Sequence, residues 1–304
     1  GGPCAARPPY QSGGSRPPPT SPPHSYTARG LLCTCGDMRS TLVFLILSLS
    51  LTTFAQQTNE LIVPSAAAPQ IVIPVAGNAA GANGTYFRTD VNLINFRTAA
   101  QRVALYWLPQ GTSGSSLPVR ILDLNAQSGL ASEDFVGEIL LRTGLGAIQF
   151  IAVTAEGAPD PNGLLHVTSR IWTPRPDGSE GTMSQSFPAI IRGGASPSIV
   201  KAVFGQRRSS QYRLNAGVMN PASTTQRFRI TAHISGGGTD TQVTEIDVPA
   251  RSIQQVTVGG TSSGTVQVLI ENLTGTAGDW HGWASSVDNQ SGDAWSQVAF
   301  SSAD

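Results

Sequence analysis

The sequence predicts an all-β protein built from two tandem antiparallel β-sandwich domains, with one short helix in the first. Its main sign is an internal repeat. Tyr86 to Leu108 (YFRTDVNLINFRTAAQRVALYWL) lies over Gln211 to His233 (QYRLNAGVMNPASTTQRFRITAH) without a gap, matching Arg88 with Arg213, Asn95 with Asn220, Gln101 with Gln226 and Arg102 with Arg227. Within both copies apolar and polar residues alternate on either side of a short polar turn, the period of a half-buried strand. Further short runs of this kind stand between Gly, Ser, Asn and Pro clusters with no strand–helix–strand alternation, which favours a sandwich and leaves a closed barrel as the runner-up.

In chain order, residues 1–37 hold eight of the twenty-one prolines and show no hydrophobic period. Such a segment buries too little apolar surface to offset its ordering entropy. It reads as a disordered tail, as an extended Pro-rich ligand of an SH3-like domain, or, the preferred reading, as upstream sequence translated ahead of a true start at Met38. Residues 38–55 have the order of a secretory signal peptide: Arg39, the apolar run Leu42 to Leu51, then Thr53, Phe54 and Ala55 before Gln56. That run is short for a bilayer span; a buried core segment is the alternative. The mature chain is expected to start at Gln56, to act outside the cytoplasm and to carry no integral membrane segment.

All three cysteines, Cys4, Cys33 and Cys35, precede Met38. One residue between Cys33 and Cys35 suits neither a zinc nor a redox motif, so no disulfide framework and no cofactor is expected. From Gln56 onward fifteen basic residues face eighteen acidic ones. A balance of about −3 lacks the basic footprint that phosphate neutralisation requires, which argues against nucleic acid as a partner.

Residues 56–69 read as a linker, 70–190 as the first sandwich and 191–304 as the second, with the join near Pro188 to Pro197. Gln70 to Val75 (QIVIPV) is the first strand, followed by a Gly/Ala/Asn loop. Phe87, Thr89, Val91 and Leu93 point inward on one strand, and Val103, Leu105 and Trp107 on the next. Tyr212, Leu214, Ala216, Val218, Phe228 and Ile230 repeat the set. Leu122–Leu124 is set against Ile246–Val248, Gly146–Ala152 against Gly264–Ile270, and Ser184 and Gln185 against Ser296 and Gln297. In Ser132–Arg142, Phe135, Val136, Ile139 and Leu140 share a helical face, with Ser132 as cap, Glu133 and Asp134 in the first turn and Gly144 as stop. Only Ser252 to Gly260 stands at the equivalent place in the second domain.

The series FRTDVNLIN, a later GAIQF or GTVQV strand, then SRIWTP with GTMSQSFPA, or ASSVDNQSGDAWSQVAF in the second unit, resembles tandem immunoglobulin-like or fibronectin-like repeats of secreted bacterial proteins. The resemblance covers roughly Gln70 to Phe300. It implies an extracytoplasmic, Ig-like module beside exported enzymes or at the cell surface, and transfers no catalytic residue.

Among polar residues, Asn95 and Asn220 suit turns in which the side chain bonds the backbone two residues on. Arg88 and Arg213 suit cross-strand pairing. Asp288–Asp293 (DNQSGD) lacks the spacing of a calcium loop and reads as a hairpin turn, as do DPNG and DGSEG. His166, His233 and His281 form no HExxH pair and no GxSxG occurs, so the expectation is a non-catalytic structural, adhesion or ligand-binding module, with a carbohydrate-binding accessory protein as the alternative and a glycan-acting hydrolase with a carboxylate pair as the remoter one. Trp280, His281, Trp283 and Trp295 are the candidate ligand-binding residues, since exposed aromatics stack on sugars. Trp280 and Trp283 are three apart and face opposite ways in a strand, so only one can join Trp295. The partner classes expected are an extracellular polysaccharide or a surface protein.

Overall fold

The computed structural model describes residues 63–81, 84–175, 177–192, 199–235, 239–275 and 279–301. The Pro-rich extension, the signal segment, the cysteines and the start of the linker lie outside the described residues. Among the described residues the fold is all-β and antiparallel, with essentially no helix. No helix among the described residues is long and apolar enough to cross a membrane.

The first half contains β1 (Gln70–Ala80), β2 (Tyr86–Asn95), β3 (Gln101–Pro109), β4 (Arg120–Leu124), β5 (Gly129–Ser132), β6 (Gly144–Val153), β7 (Leu165–Pro174), β8 (Thr182–Gln185) and β9 (Ile190–Ile191). They join in the order β4-β3-β6-β1-β2-β7-β8, with β5 beside β2 and β9 beside β1. The second half contains β10 (Val200–Arg208), β11 (Tyr212–Asn220), β12 (Gln226–Ser235), β13 (Thr239–Val248), β14 (Ser252–Thr257), β15 (Gly264–Asn272), β16 (His281–Asp288) and β17 (Ala294–Val298). Here two sheets are separate, β10-β15-β12-β13 and β14-β11-β16-β17. The two halves use the same strand order. They differ where β1 runs on to pair Ala79 with Phe87 and Ala80 with Tyr86, which curls the first half into one continuous half-barrel sheet.

Inward residues meet as the alternation predicts, except Phe87, which packs against a cluster shared by the two halves, and Tyr212, which is half-buried outside the second core. Ile71, Ile73, Val103, Leu105, Ile148 and Phe150 from one layer pack on Val91, Leu93, Leu165 and Val167 from the other. Val203, Phe228, Ile230, Val266, Val268 and Ile270 pack on Leu214, Ala216, Val218, Trp280 and Ala284. Branched side chains dominate because they fit a pleated, buried surface.

Register refines the internal alignment. Val103 faces Ala152 on β6, whereas its counterpart Phe228 faces Asn272 on β15. Gly144–Phe150 therefore corresponds to Gly264–Ile270, two residues earlier than the sequence overlay. Gln185 likewise takes the place of Trp295, not of Gln297, because Thr89 leads through Ile171 to Gln185 as Leu214 leads through Ser286 to Trp295. A slip of two keeps every side chain on its face, so alternation cannot detect it. Leu122–Leu124 and Ile246–Val248 do correspond.

Both halves carry a bulge at the same place. Pairing shifts between Ile73 and Ala76 on β1, and between Val203 and Gln206 on β10. Pro74 has no N–H for a ladder, and Gly205 takes φ +71, so each sequence suits the irregularity. Just beyond it a buried hydroxyl completes the backbone. Thr89 Oγ1 accepts from Gly77 N at 2.7 Å and donates to Gly77 O at 2.9 Å. Ser286 Oγ accepts from Arg207 N at 2.7 Å and donates to Arg207 O at 3.0 Å.

The expected helix in Ser132–Arg142 is only a five-residue wide turn, Phe135–Ile139, closed by Leu140 N donating to Phe135 O. Asp134, not Ser132, is the cap, accepting from Gly137 N at 3.0 Å. Ser132 ends β5 instead. Leu141, at φ +54, stops the turn before Gly144. Its apolar face still plugs the core through Phe135, Val136 and Leu140.

The matched asparagines are fully buried clamps. Asn95 Oδ1 accepts from Arg97 N at 3.0 Å while Nδ2 donates to Ala99 O and Asn125 O, both at 2.9 Å. Asn220 Oδ1 accepts from Ala222 N at 3.0 Å while Nδ2 donates to Thr224 O, Val248 O and Pro249 O. Each ties the turn between two strands to the end of a neighbouring strand. Asn95→Ala or Asn220→Ala orphans three or four backbone groups, so each variant is expected to lose about 2–4 kcal/mol in urea unfolding. A loss under about 0.5 kcal/mol would show that the clamps are dispensable.

Candidate functional site

The four residues singled out in the sequence occupy four different environments. Trp280 is 1% exposed in the second core, its ring 5.2 Å from Phe228. Lys201, the chain's one lysine, is buried beside it, with Nζ 4.9 Å from the ring centroid and donating to Trp280 O at 2.8 Å. Trp283 is equally buried but on the other side of β16, edge-on to Phe187 at 6.5 Å. A Cβ on Gly217 would come within 2.3 Å of the Trp283 ring, so the close approach requires glycine there. His281 is buried, with Nε2 3.2 Å from Asp279 Oδ1. Only Trp295, at 49%, is exposed. Trp280 and Trp283 thus face opposite ways, as their spacing requires, and neither offers a ring face to solvent in this conformation.

Trp283 belongs to a third core, between the halves. Val72, Val75, Leu108, Ala147, Ile171 and Phe187 from the first half meet Met219, Ile253 and Trp283 from the second. β1 and β16 are consequently buried on both faces. Backbone links reinforce the junction, with Gly111 N donating to Ile253 O at 2.9 Å and Gly114 N to Ala250 O at 3.0 Å. Gln185 Nε2 adds bonds to Ser285 Oγ, at 2.6 Å, and to Ser296 Oγ.

Outward residues on β6 run Leu145, Ala147, Gln149, Ile151, and the second half answers with Gln255, Ile253 and Arg251. Ala147 and Ile253 form the dry middle. At one end Leu145 and Gln255 line a largely apolar cleft of about 150 Å³ with Phe87, Met183, Phe187, Trp283 and Arg213. At the other end Gln149, Ile151 and Arg251 line a polar pocket.

A second kind of surface surrounds the β10 bulge. Phe204 and Phe300, 44% and 48% exposed, lie 5.5 Å apart, and the Trp295 ring reaches Gly205. Beside Phe204 a groove of about 320 Å³ is lined by His233, Asp240, Thr241 and Gln267. Sequence alternation missed both phenylalanines. The glycine inside the VFG strand was the available sign of a bulge that turns a side chain outward.

The remaining polar candidates act locally. Arg88 lies 5.3 Å from the Tyr86 ring centroid, 5.5 Å from that of Trp172 and 3.7 Å from Asp134. Asp90 pairs with Arg170 directly across the strands at 2.6 Å. Arg213 donates to Asn289 at 3.1 Å. Arg102 pairs with Asp123, and Arg227 with Glu245, both at 2.9 Å. The Asp288, Asp160 and Asp177 side chains accept backbone N–H groups two residues on, as turn residues do. Among the described residues no three His, Cys, Asp or Glu side chains gather as a metal site.

Asp279 stands between Arg192 and His281. Burial disfavours ionised Asp279, but the adjacent His281 imidazole and the hydrogen-bonded Arg192 guanidinium outweigh it and hold the carboxyl at about 2. Because the folded value lies below the unfolded one, the stabilisation is complete above the unfolded value of about 3.8 and is lost as pH falls through about 2. Asp279→Asn is expected to cost on the order of 2 kcal/mol at neutral pH and to flatten the stability profile between those limits. An unchanged profile in urea titrations would show the pair to be energetically idle. Comparisons with protein-family models, with curated proteins and with solved structures found no match to the chain.

Proposed function

We propose that the chain is a secreted, non-catalytic module of two Ig-like β-sandwich domains, residues 70–190 and 191–304, which holds a ligand or attaches to a surface. The observation that carries this reading is the fate of the polar residues shared by both copies. Asn95 and Asn220 are buried clamps, while Arg102 and Arg227 are spent in cross-strand ion pairs. The repeat therefore supports construction, and recognition is assigned to places where the copies differ. The signal-like order from Met38 supports an extracytoplasmic location.

A polysaccharide is the favoured ligand in the second reading, because Trp295, Phe204 and Phe300 expose rings around one bulge beside a polar groove. Flat aromatic area with adjacent hydrogen-bonding groups suits sugar rings. Of the four residues singled out in the sequence only Trp295 reaches that surface; Trp280, His281 and Trp283 are buried elsewhere.

Retention on insoluble polysaccharides and release of reducing ends, measured in the same samples, test both readings. Retention without release is expected, with Trp295→Ala lowering affinity by about tenfold, the worth of one good aromatic contact. Released sugar would overturn the non-catalytic reading. Unchanged retention in Trp295→Ala would overturn the aromatic glycan surface.

A further inference from the structure

At the polar end of the junction a pocket of about 260 Å³ opens among Tyr106, Ser115, Gln149, Arg192 and Arg251. Two guanidiniums, a phenol, a hydroxyl and a carboxamide supply donors, and the lining contains no acidic side chain. It is a site rich in hydrogen to give and poor in negative charge.

Gln149 is 6% exposed, and its Nε2 is buried without a hydrogen-bond partner. It stands in mid-sheet, facing Tyr106 on one neighbouring strand and Val72 on the other. Buried N–H groups nearly always find an acceptor, so this amide is a donor held for something that enters. Turning the amide would present its oxygen to a ligand hydroxyl, and the arginines would still set the sign of the site.

Arg251 is the second sign. Its φ is +49, in the left-handed region that residues with a Cβ seldom adopt. The backbone is pinned there by Arg251 N donating to Ala222 O at 2.9 Å. Gln127, its counterpart in the first half, has the same φ and donates to Arg97 O at 2.9 Å, so the turn belongs to the repeat and what is particular to the second half is the arginine it presents to the pocket. Arg192 completes the wall, oriented by its Nε bond to Asp279, and also lines an adjoining pocket of about 120 Å³.

We propose that this pocket binds a small polyhydroxy carboxylate with the size and chemistry of a sugar acid. Arg251 takes the carboxylate, for which a guanidinium fork is matched in geometry and charge, with Arg192, whose Nε is committed to Asp279, beside it. Gln149, Tyr106 and Ser115 take the hydroxyls. The site is separate from the aromatic surface at Trp295 and does not depend on the polysaccharide reading.

Calorimetric titration with D-galacturonate, neutral D-galactose and polygalacturonate tests the assignment on the full chain. Galacturonate is expected to bind at least about tenfold more tightly than galactose, with affinity falling as salt rises. Arg251→Gly is expected to lose about tenfold or more in galacturonate affinity. Its melting temperature should hold or rise, because glycine accepts positive φ without strain. Trp295→Ala should leave galacturonate affinity unchanged, which separates this site from the glycan surface. Equal binding of acid and neutral sugar, or full affinity in Arg251→Gly, would overturn the proposal. So would a lowered melting temperature in that variant, which would make Arg251 structural, and so would binding of the polymer without the monomer, which would place recognition outside a closed pocket.

Discussion

A peptide group that leaves a sheet ladder inside a protein must find another partner, and this obligation governs how both halves close. At the bulges a hydroxyl supplies both a donor and an acceptor, from Thr89 in one half and from Ser286 in the other. At the turns one buried amide does so, from Asn95 or Asn220. The hydroxyl comes from β2 in the first half and from β16 in the second, yet it meets the equivalent backbone groups. Chemistry has been kept where its position in the chain has not.

The same distinction explains what was legible in the sequence. The clamps could be read because an Asn entering a turn has few other uses and because the spacing was retained in both copies. The inward faces of β2, β3, β11 and β12 were legible for the same reason. The offsets on β6 and β8 were hidden, since a two-residue slip changes no face. The helix was over-read because the placing of Phe135, Val136, Ile139 and Leu140 satisfies a wide turn as well as a helical face.

The junction was the least legible part. Leu108, Ala147, Met219 and Ile253 occupy outward strand positions, and what covers them lies in the other half. The continuous run QIVIPV carried a hint, because strands buried on both faces lose their alternation. β16 carried little, since its sequence HGWASSVD reaches burial on both faces through small residues. Gln149 and Arg251 share a pocket although a hundred residues separate them, with no periodic pattern to link them. Trp280 and Trp283 show the limit from the other side: their opposite directions follow from spacing, but their burial depends on packing partners elsewhere in the chain.

The Ala202–Phe300 bridge, with backbone bonds of 2.8 and 3.0 Å, sets an order of assembly. The first half has all its strands by Ile191, where β9 joins β1, whereas the second needs almost the last described residue to close. On a chain being synthesised or threaded from its N-terminal end, the first half folds while Val72, Leu108 and Ala147 still lack their cover. For that interval it presents an apolar sheet face to its surroundings. The junction that buries this face once both halves are folded leaves it uncovered until then.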